Sequence, residues 1–210
     1  SACKEKGVKE VIITVWGDRG TECNILATLP GLAFYAEQGY RKDPSMEEVA
    51  ERFEYVTGGS WEDFMRFADI NYIPGTDMAS NKKYSASKFL MYQDLLEGLF
   101  DANIDGPAVR KHYEQLTPQY LQAAARGGAF SHLMNFYYLV SRVLEIKADL
   151  GIRLRQAYLT EDLKTLHSIE EEILPELALR VTELKQFHRQ LWAETYQLFG
   201  WDVMDIRYGG

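Results

Sequence analysis

Apolar positions recur along this chain with three different spacings, and the spacings divide it. Near the start, Val11-Ile12-Ile13-Thr14-Val15 is β-branched and apolar on both faces, as a buried parallel strand is, and too short for a helix. It runs into Trp16-Gly17-Asp18-Arg19-Gly20, where two glycines mark a loop. Thr21 or Asn24 is then placed to cap an apolar segment over residues 25–36 that Pro30 interrupts. Strand, loop and helix is the expected order.

The middle of the chain reads as helices punctuated by glycine. Ser45 followed three residues later by Glu48 makes a capping box, so a helix is expected from Met46 to the stop at Gly58-Gly59. Ser60 and Asp63 start another that buries Trp61, Phe64 and either Phe67 or Ala68. Residues 71–83, with Pro74-Gly75, read as loop. Phe89, Tyr92, Leu95, Leu96 and Leu99 describe a helical face ended by residues 101–107. Residues 109–125 form a further helix, or two, because Thr117-Pro118 is a local start signal.

Periodicity is clearest in the last third. Leu133, Phe136, Val140, Leu144 and Ala148 mark one helix. Leu163, Leu166, Ile169 and Ile173 mark a second, and Leu177, Val181, Leu184, His188, Leu191 and Leu198 a third. Short turns between them predict an antiparallel three-helix bundle. After Gly200 the alternation in Trp201-Asp202-Val203-Met204-Asp205-Ile206-Arg207 predicts a short terminal strand.

Composition removes several classes of function. A net charge of -8 and a pI near 5.1, with no clustered Lys or Arg, argue against nucleic-acid binding. No apolar run approaches a membrane span, so no membrane partner is expected. Cys3 and Cys23 form neither a disulfide framework nor a zinc motif and fit a reducing compartment, which favours the cytoplasm. A metal-binding bundle needs Glu three residues before His. The four histidines, His112, His132, His167 and His188, are preceded at that spacing by Val109, Ala129, Lys164 and Lys185. No metal or cofactor is therefore expected, and His188 on its apolar stripe reads as a satisfied core histidine.

Three stretches carry a resemblance. TVWGDRGTECNILATLPGL near the start, SKFLMYQDLLEGLFD in the middle, and the span from KADLGIRLRQAY to FGWDVMDIRYGG together resemble glycoside hydrolase family 20, in its branch of bacterial β-N-acetylglucosaminidases with a helical domain after the catalytic barrel. The resemblance implies a mainly α chain. Residues 1–40 would be the last strand-loop-helix unit of a TIM (β/α)8 barrel, and residues 41–210 a C-terminal helical domain ending in the bundle and short strand. It implies substrate-assisted retaining hydrolysis of terminal N-acetylglucosamine or N-acetylgalactosamine, in which the substrate's acetamido oxygen attacks the anomeric carbon, an Asp orients it and an adjacent Glu protonates the leaving oxygen; this family is a known exception to the two-carboxylate scheme. No Asp-Glu dipeptide occurs in this sequence, so no catalytic residue is assigned.

What the resemblance assigns here is substrate binding. On residue pattern alone Trp16 reads as an apolar plug at the top of a barrel, whereas the family's matching tryptophan lines the sugar subsite. Asp18 stands where many members carry Trp-x-Glu, a carboxylate for the outer sugar hydroxyls, and Glu22 is the competing candidate. Asp18 reads otherwise as a cap and Glu22 as a first-turn acid. Tyr92, Asp94 and Asp101 are expected to tie the helical domain to the barrel or to reach into it, and Lys147 with Asp149, and Asp205 with Arg207, are candidates for domain or subunit ion pairs. The expected partners are an N-acetylhexosamine glycan, the remainder of the barrel and a second copy of the chain. A strand at residues 11–15 would need cover from another chain, from the helices or from residues 203–206. The competing reading is a non-catalytic helical module for oligomerisation or protein binding.

Overall fold

A computed structural model describes residues 2–15, 23–74 and 86–209. They fall into two compact units, Ser1–Met65 and Arg66–Gly210, and among the described residues every regular element is helical.

The first unit holds α1 (Ala2–Glu5), α2 (Leu29–Tyr40), α3 (Met46–Thr57) and α4 (Trp61–Met65). Of the two expected caps, Asn24 is seen at work: its side-chain oxygen accepts the Leu26 N–H at 2.9 Å and starts a 3-10 turn over Ile25–Thr28. Pro30 opens α2 instead of interrupting it, because a first-turn proline forfeits no helical hydrogen bond. The capping box of α3 is complete. Ser45 Oγ accepts the Glu48 N–H at 3.2 Å, Glu48 Oε2 accepts the Ser45 N–H at 2.9 Å, and Gly58 at φ 69° ends the helix. Between α2 and α3, the buried Glu37 carboxylate lies 3.3 Å from Arg41 and 3.4 Å from Arg52.

The strand expected at residues 11–15 is absent. These residues are exposed, Ile12 to 86%, and belong to no ladder. A strand is stabilised by its neighbours' backbone groups, and no other strand exists among the described residues to supply them. The Tyr35 hydroxyl donates to the Val11 carbonyl.

The second unit begins with a 3-10 turn over Arg66–Ile70, followed by α5 (Ala86–Tyr92), α6 (Gly106–Ala125), α7 (Ser131–Lys147), α8 (Leu150–Leu159), α9 (Leu163–Ser168), α10 (Leu174–Thr195) and α11 (Trp201–Arg207). A three-helix arrangement exists, but its members are α6, α7 and α10, with α7 in the middle. Helices α9 and α10 are one continuous rod, joined by a wide π turn over Ile169–Ile173 in which the Leu174 N–H reaches the Ile169 carbonyl. Pro175 accounts for the turn: it has no N–H, and its ring would strike the carbonyl four residues back in α geometry. Helix α6 is single. Pro118 costs it one hydrogen bond, while the Thr117 hydroxyl donates to the Tyr113 carbonyl at 2.8 Å.

Helix α6 also fastens the turn that precedes α5. The Tyr113 hydroxyl donates to the Ile70 carbonyl at 3.0 Å, that of Tyr120 to the Arg66 carbonyl at 2.9 Å, and His112 Nε2 sits 2.7 Å from the Asp69 carbonyl. Carbonyls that a short 3-10 turn leaves open are thereby satisfied inside the core. Of Phe67 and Ala68 it is Phe67 that is buried, and it stacks on Tyr137 at 4.0 Å.

Two further expectations are corrected. The apolar run after Tyr92 is not helix: Asp94 Oδ1 accepts the N–H groups of Leu96 at 2.7 Å and Glu97 at 3.2 Å, which turns the chain and leaves Leu96 and Leu99 exposed. The terminal strand is the helix α11. Trp201 and Met204 are buried and Val203 and Ile206 exposed, a three-residue spacing that a strand's alternation does not produce. Helix α11 closes a box around His188, which packs on Phe136 at 4.6 Å and Trp201 at 5.3 Å and meets the Tyr208 hydroxyl at 2.9 Å through Nδ1. His188 is the satisfied core histidine expected.

Asp149, at the start of α8, is buried, with Arg110 at 3.6 Å and Arg153 at 3.9 Å. Burial pushes its carboxyl above the usual range, and the two guanidiniums partly oppose this. One oxygen, Oδ1, has no hydrogen bond.

Two predictions follow from this packing. Trp201→Ala is expected to cost about 3–5 kcal/mol in chemical denaturation, and Val203→Ala less than about 0.5 kcal/mol; equal costs would mean that both lie on one face, as in a strand. For Asp149, the folded chain holds its proton more tightly than the unfolded one. The stability from this group is thus full below an unfolded carboxyl pKa of about 3.9 and is lost as pH rises through the raised folded value. Asp149→Asn should remove that loss, so that urea melts at pH 4 to pH 7 show wild type losing ground to the variant as pH rises; a pH-independent difference would refute the assignment.

Candidate functional site

Trp16, Asp18 and Glu22, with Arg19 between them, lie outside the described residues. Past them, Asn24 caps the turn ahead of α2 as expected, whereas residues 11–15 form no strand.

In the second unit, the two other stretches that carry the family resemblance meet. Gln93 is the hub. Its side-chain oxygen accepts the Phe100 N–H at 2.9 Å, its amide donates to Asp101 Oδ1 at 3.0 Å, and its carbonyl accepts Lys147 Nζ at 2.7 Å. The end of α5, the following loop and the end of α7 are therefore pinned at one residue. Two glycines are required by the close approach. A Cβ on Gly151 would lie 2.8 Å from the Leu95 carbonyl oxygen, and one on Gly98, at φ 53°, would lie 2.3 Å from Asp101 Oδ2.

Beside this hub lies a cleft of about 370 Å³ lined by Met91, Tyr92, Lys147, Val181, Arg207 and Tyr208 among others. Burial pulls the Lys147 ammonium below its usual range, while Asp94 and Asp101 pull it back. The Arg207 guanidinium lies 5.9 Å above the Tyr92 ring, which meets Tyr208 edge-on at 6.0 Å. Tyr92, Asp94, Asp101, Lys147 and Arg207 are thus brought together, and what they do here is join α5, α7 and α11. Asp205 is drawn off separately by Lys185 at 3.0 Å. Gln93, Gly98 and Gly151 were not singled out from sequence; a glutamine at a helix end carries no pattern that distinguishes a hub from a solvated side chain.

The chemistry of this cleft is limited. Asp94 in its lining is committed to the backbone turn, and Asp101 beside it accepts the Gln93 amide. Among the described residues no group of three or more His, Cys, Asp or Glu could hold a metal ion. Its groups join helices.

Comparison with known proteins gives these observations a family. No curated protein matches the chain. A family model described as the Glycoside Hydrolase 20C C-terminal domain matches residues 62–210, which takes in α4, the Gln93 hub, the α6–α7–α10 core and α11. The mainly helical architecture agrees with a C-terminal domain of this kind, and the chain belongs to the glycoside hydrolase 20C C-terminal domain family.

Proposed function

We propose that the chain is the C-terminal part of an exo-acting β-N-acetylhexosaminidase that removes terminal N-acetylglucosamine or N-acetylgalactosamine from glycans by substrate-assisted, retaining hydrolysis. The observation that carries this reading is the family match over residues 62–210. On it, residues 1–40 are the last strand-loop-helix unit of the catalytic barrel and residues 41–210 the helical accessory domain. The Asp-Glu pair that orients the acetamido group and protonates the leaving oxygen resides in the barrel's earlier strands, since this sequence contains no such dipeptide.

The exposed β-branched run at residues 11–15 supports the same reading. A segment apolar on both faces and outside any ladder is poorly suited to water, and it would become a strand once neighbours from the remainder of the barrel pair with both edges. Trp16 would then follow the strand at the C-terminal mouth, where barrel active sites lie. Its indole face covers the C–H face of the sugar, and Asp18 accepts hydrogen bonds from the outer hydroxyls.

Kinetics of the complete enzyme on an aryl N-acetylglucosaminide test each part. Covering about 40 Å² of sugar contributes about 1 kcal/mol, so Trp16→Ala should lower kcat/KM about fivefold. A charge-assisted hydrogen bond is worth about 1.5–3 kcal/mol, so Asp18→Asn should lower it about tenfold to a hundredfold while Glu22→Gln leaves it unchanged. The purified 210-residue chain should show no turnover. Turnover by that chain that Trp16→Ala abolishes would place the chemistry here and overturn the reading.

A further inference from the structure

The outer face of α11 is apolar, although its inner face already fills the His188 box. Phe199 is 94% exposed, Ile206 72%, Leu198 55% and Val203 49%. Val203 and Ile206, three residues apart, share one face of α11, and Leu198 and Phe199 lie in the turn that precedes the helix. Together the four side chains expose on the order of 400 Å² of apolar surface, within the range of about 300–600 Å² of the largest patch on a typical monomer, which is often functional.

A hollow of about 480 Å³ adjoins this ridge, lined by Arg189, Leu198, Phe199, Gly200, Trp201, Asp202 and Asp205. Asp205 is neutralised by Lys185 at 3.0 Å. Arg189 and Asp202 are exposed, and neither has an ion pair among the described residues. Trp201, in the wall, keeps a buried indole N–H without a hydrogen-bond acceptor. One small surface therefore carries a protruding ring and a recess, an unpaired cation and an unpaired anion.

A surface that presents both halves of each complementary pair is what a two-fold interface requires, because every residue there meets the same patch on the other copy. We propose that this face binds a second copy of the chain, with Phe199 of each copy entering the hollow of the other and Arg189 of each meeting Asp202 of its partner. An unrelated partner would need only one member of each pair. The area sets the strength: two such patches remove under about 1,000 Å², the low end for specific association, so the dimer is weak and concentration-dependent.

The test is sedimentation velocity of the full natural protein from about 1 to about 200 µM, the range in which a weak association of this kind is read. Wild type should pass reversibly from monomer to dimer. Phe199→Asp and Arg189→Asp should each weaken association at least about tenfold, with thermal unfolding at low concentration unchanged because both side chains are exposed. The double reversal Arg189→Asp with Asp202→Arg should restore the dimer, since each copy again supplies one charge of each sign. Three results would overturn the proposal: a monomer throughout the range, a dimer indifferent to Phe199→Asp, or hydrogen-exchange protection of residues 198–206 that does not change with concentration, which would place another segment of the same protein over the patch.

Discussion

Helix α7 is covered on two sides, by α6 and by α10, and most of the second unit is arranged around that constraint. A helix so enclosed cannot keep a polar half. Leu133, Met134, Phe136, Tyr137, Leu139, Val143 and Leu144 are all buried, a set too broad for one stripe. Ser141 is buried with its hydroxyl donating to the Tyr138 carbonyl at 2.8 Å, and charged groups stand at the rim and the end of the helix. Lys147 at its end reaches the Gln93 carbonyl, and Arg142 and Glu145 on its rim pair with Glu183 at 2.7 Å and Arg180 at 2.9 Å on α10. Burying the middle thus specifies where the ends can be fastened, and the Gln93 hub is one of those fastenings.

How much of this was legible depends on whether the deciding force was local. Caps were legible because Ser45 with Glu48, and Asn24, satisfy backbone groups within a few residues of themselves. The helical stripes of α7 and α10 were legible because burial repeats with the helix period. Helix α8 was not, since it buries only Leu150, Gly151 and Ala157 and leaves no stripe to read. The fusion of α9 with α10 was hidden because Pro175 ordinarily signals a break, whereas a single wide turn absorbs it. At α11 the residues 201–206 alternate well enough for a strand; the choice of helix is made by His188 and Trp192, which receive Trp201 and Met204 at helical spacing.

The site was legible in a different sense. Tyr92 and Asp94 were marked as contacts to the barrel and Lys147 and Arg207 as ion-pair partners of Asp149 and Asp205, whereas the cleft beside Gln93 gathers the four within the second unit and the two acids pair with Arg110 and Lys185. Their geometry came from contacts over long separations in sequence, such as Lys147 to Gln93, which no spacing rule encodes. Trp16, Asp18 and Glu22 rest instead on the resemblance of a loop, and the helical packing of residues 66–209 has no bearing on them.

The two units illustrate opposite ways of dealing with apolar surface. In the second, the apolar stripes of α6, α7 and α10 find neighbours within the unit, and exposed apolar side chains remain at Leu96 and Leu99, at Tyr158, Leu159 and Leu163, and around α11. In the first, residues 11–15 are as apolar as a core strand and stay in solvent. A helix satisfies its own backbone and needs a neighbour only for its side chains; a strand needs neighbours for both. The helical unit can therefore complete its core from its own residues, whereas the β-branched run cannot, whatever its local propensity. That asymmetry is why the helical unit holds a packed core while the run before Trp16 stays exposed.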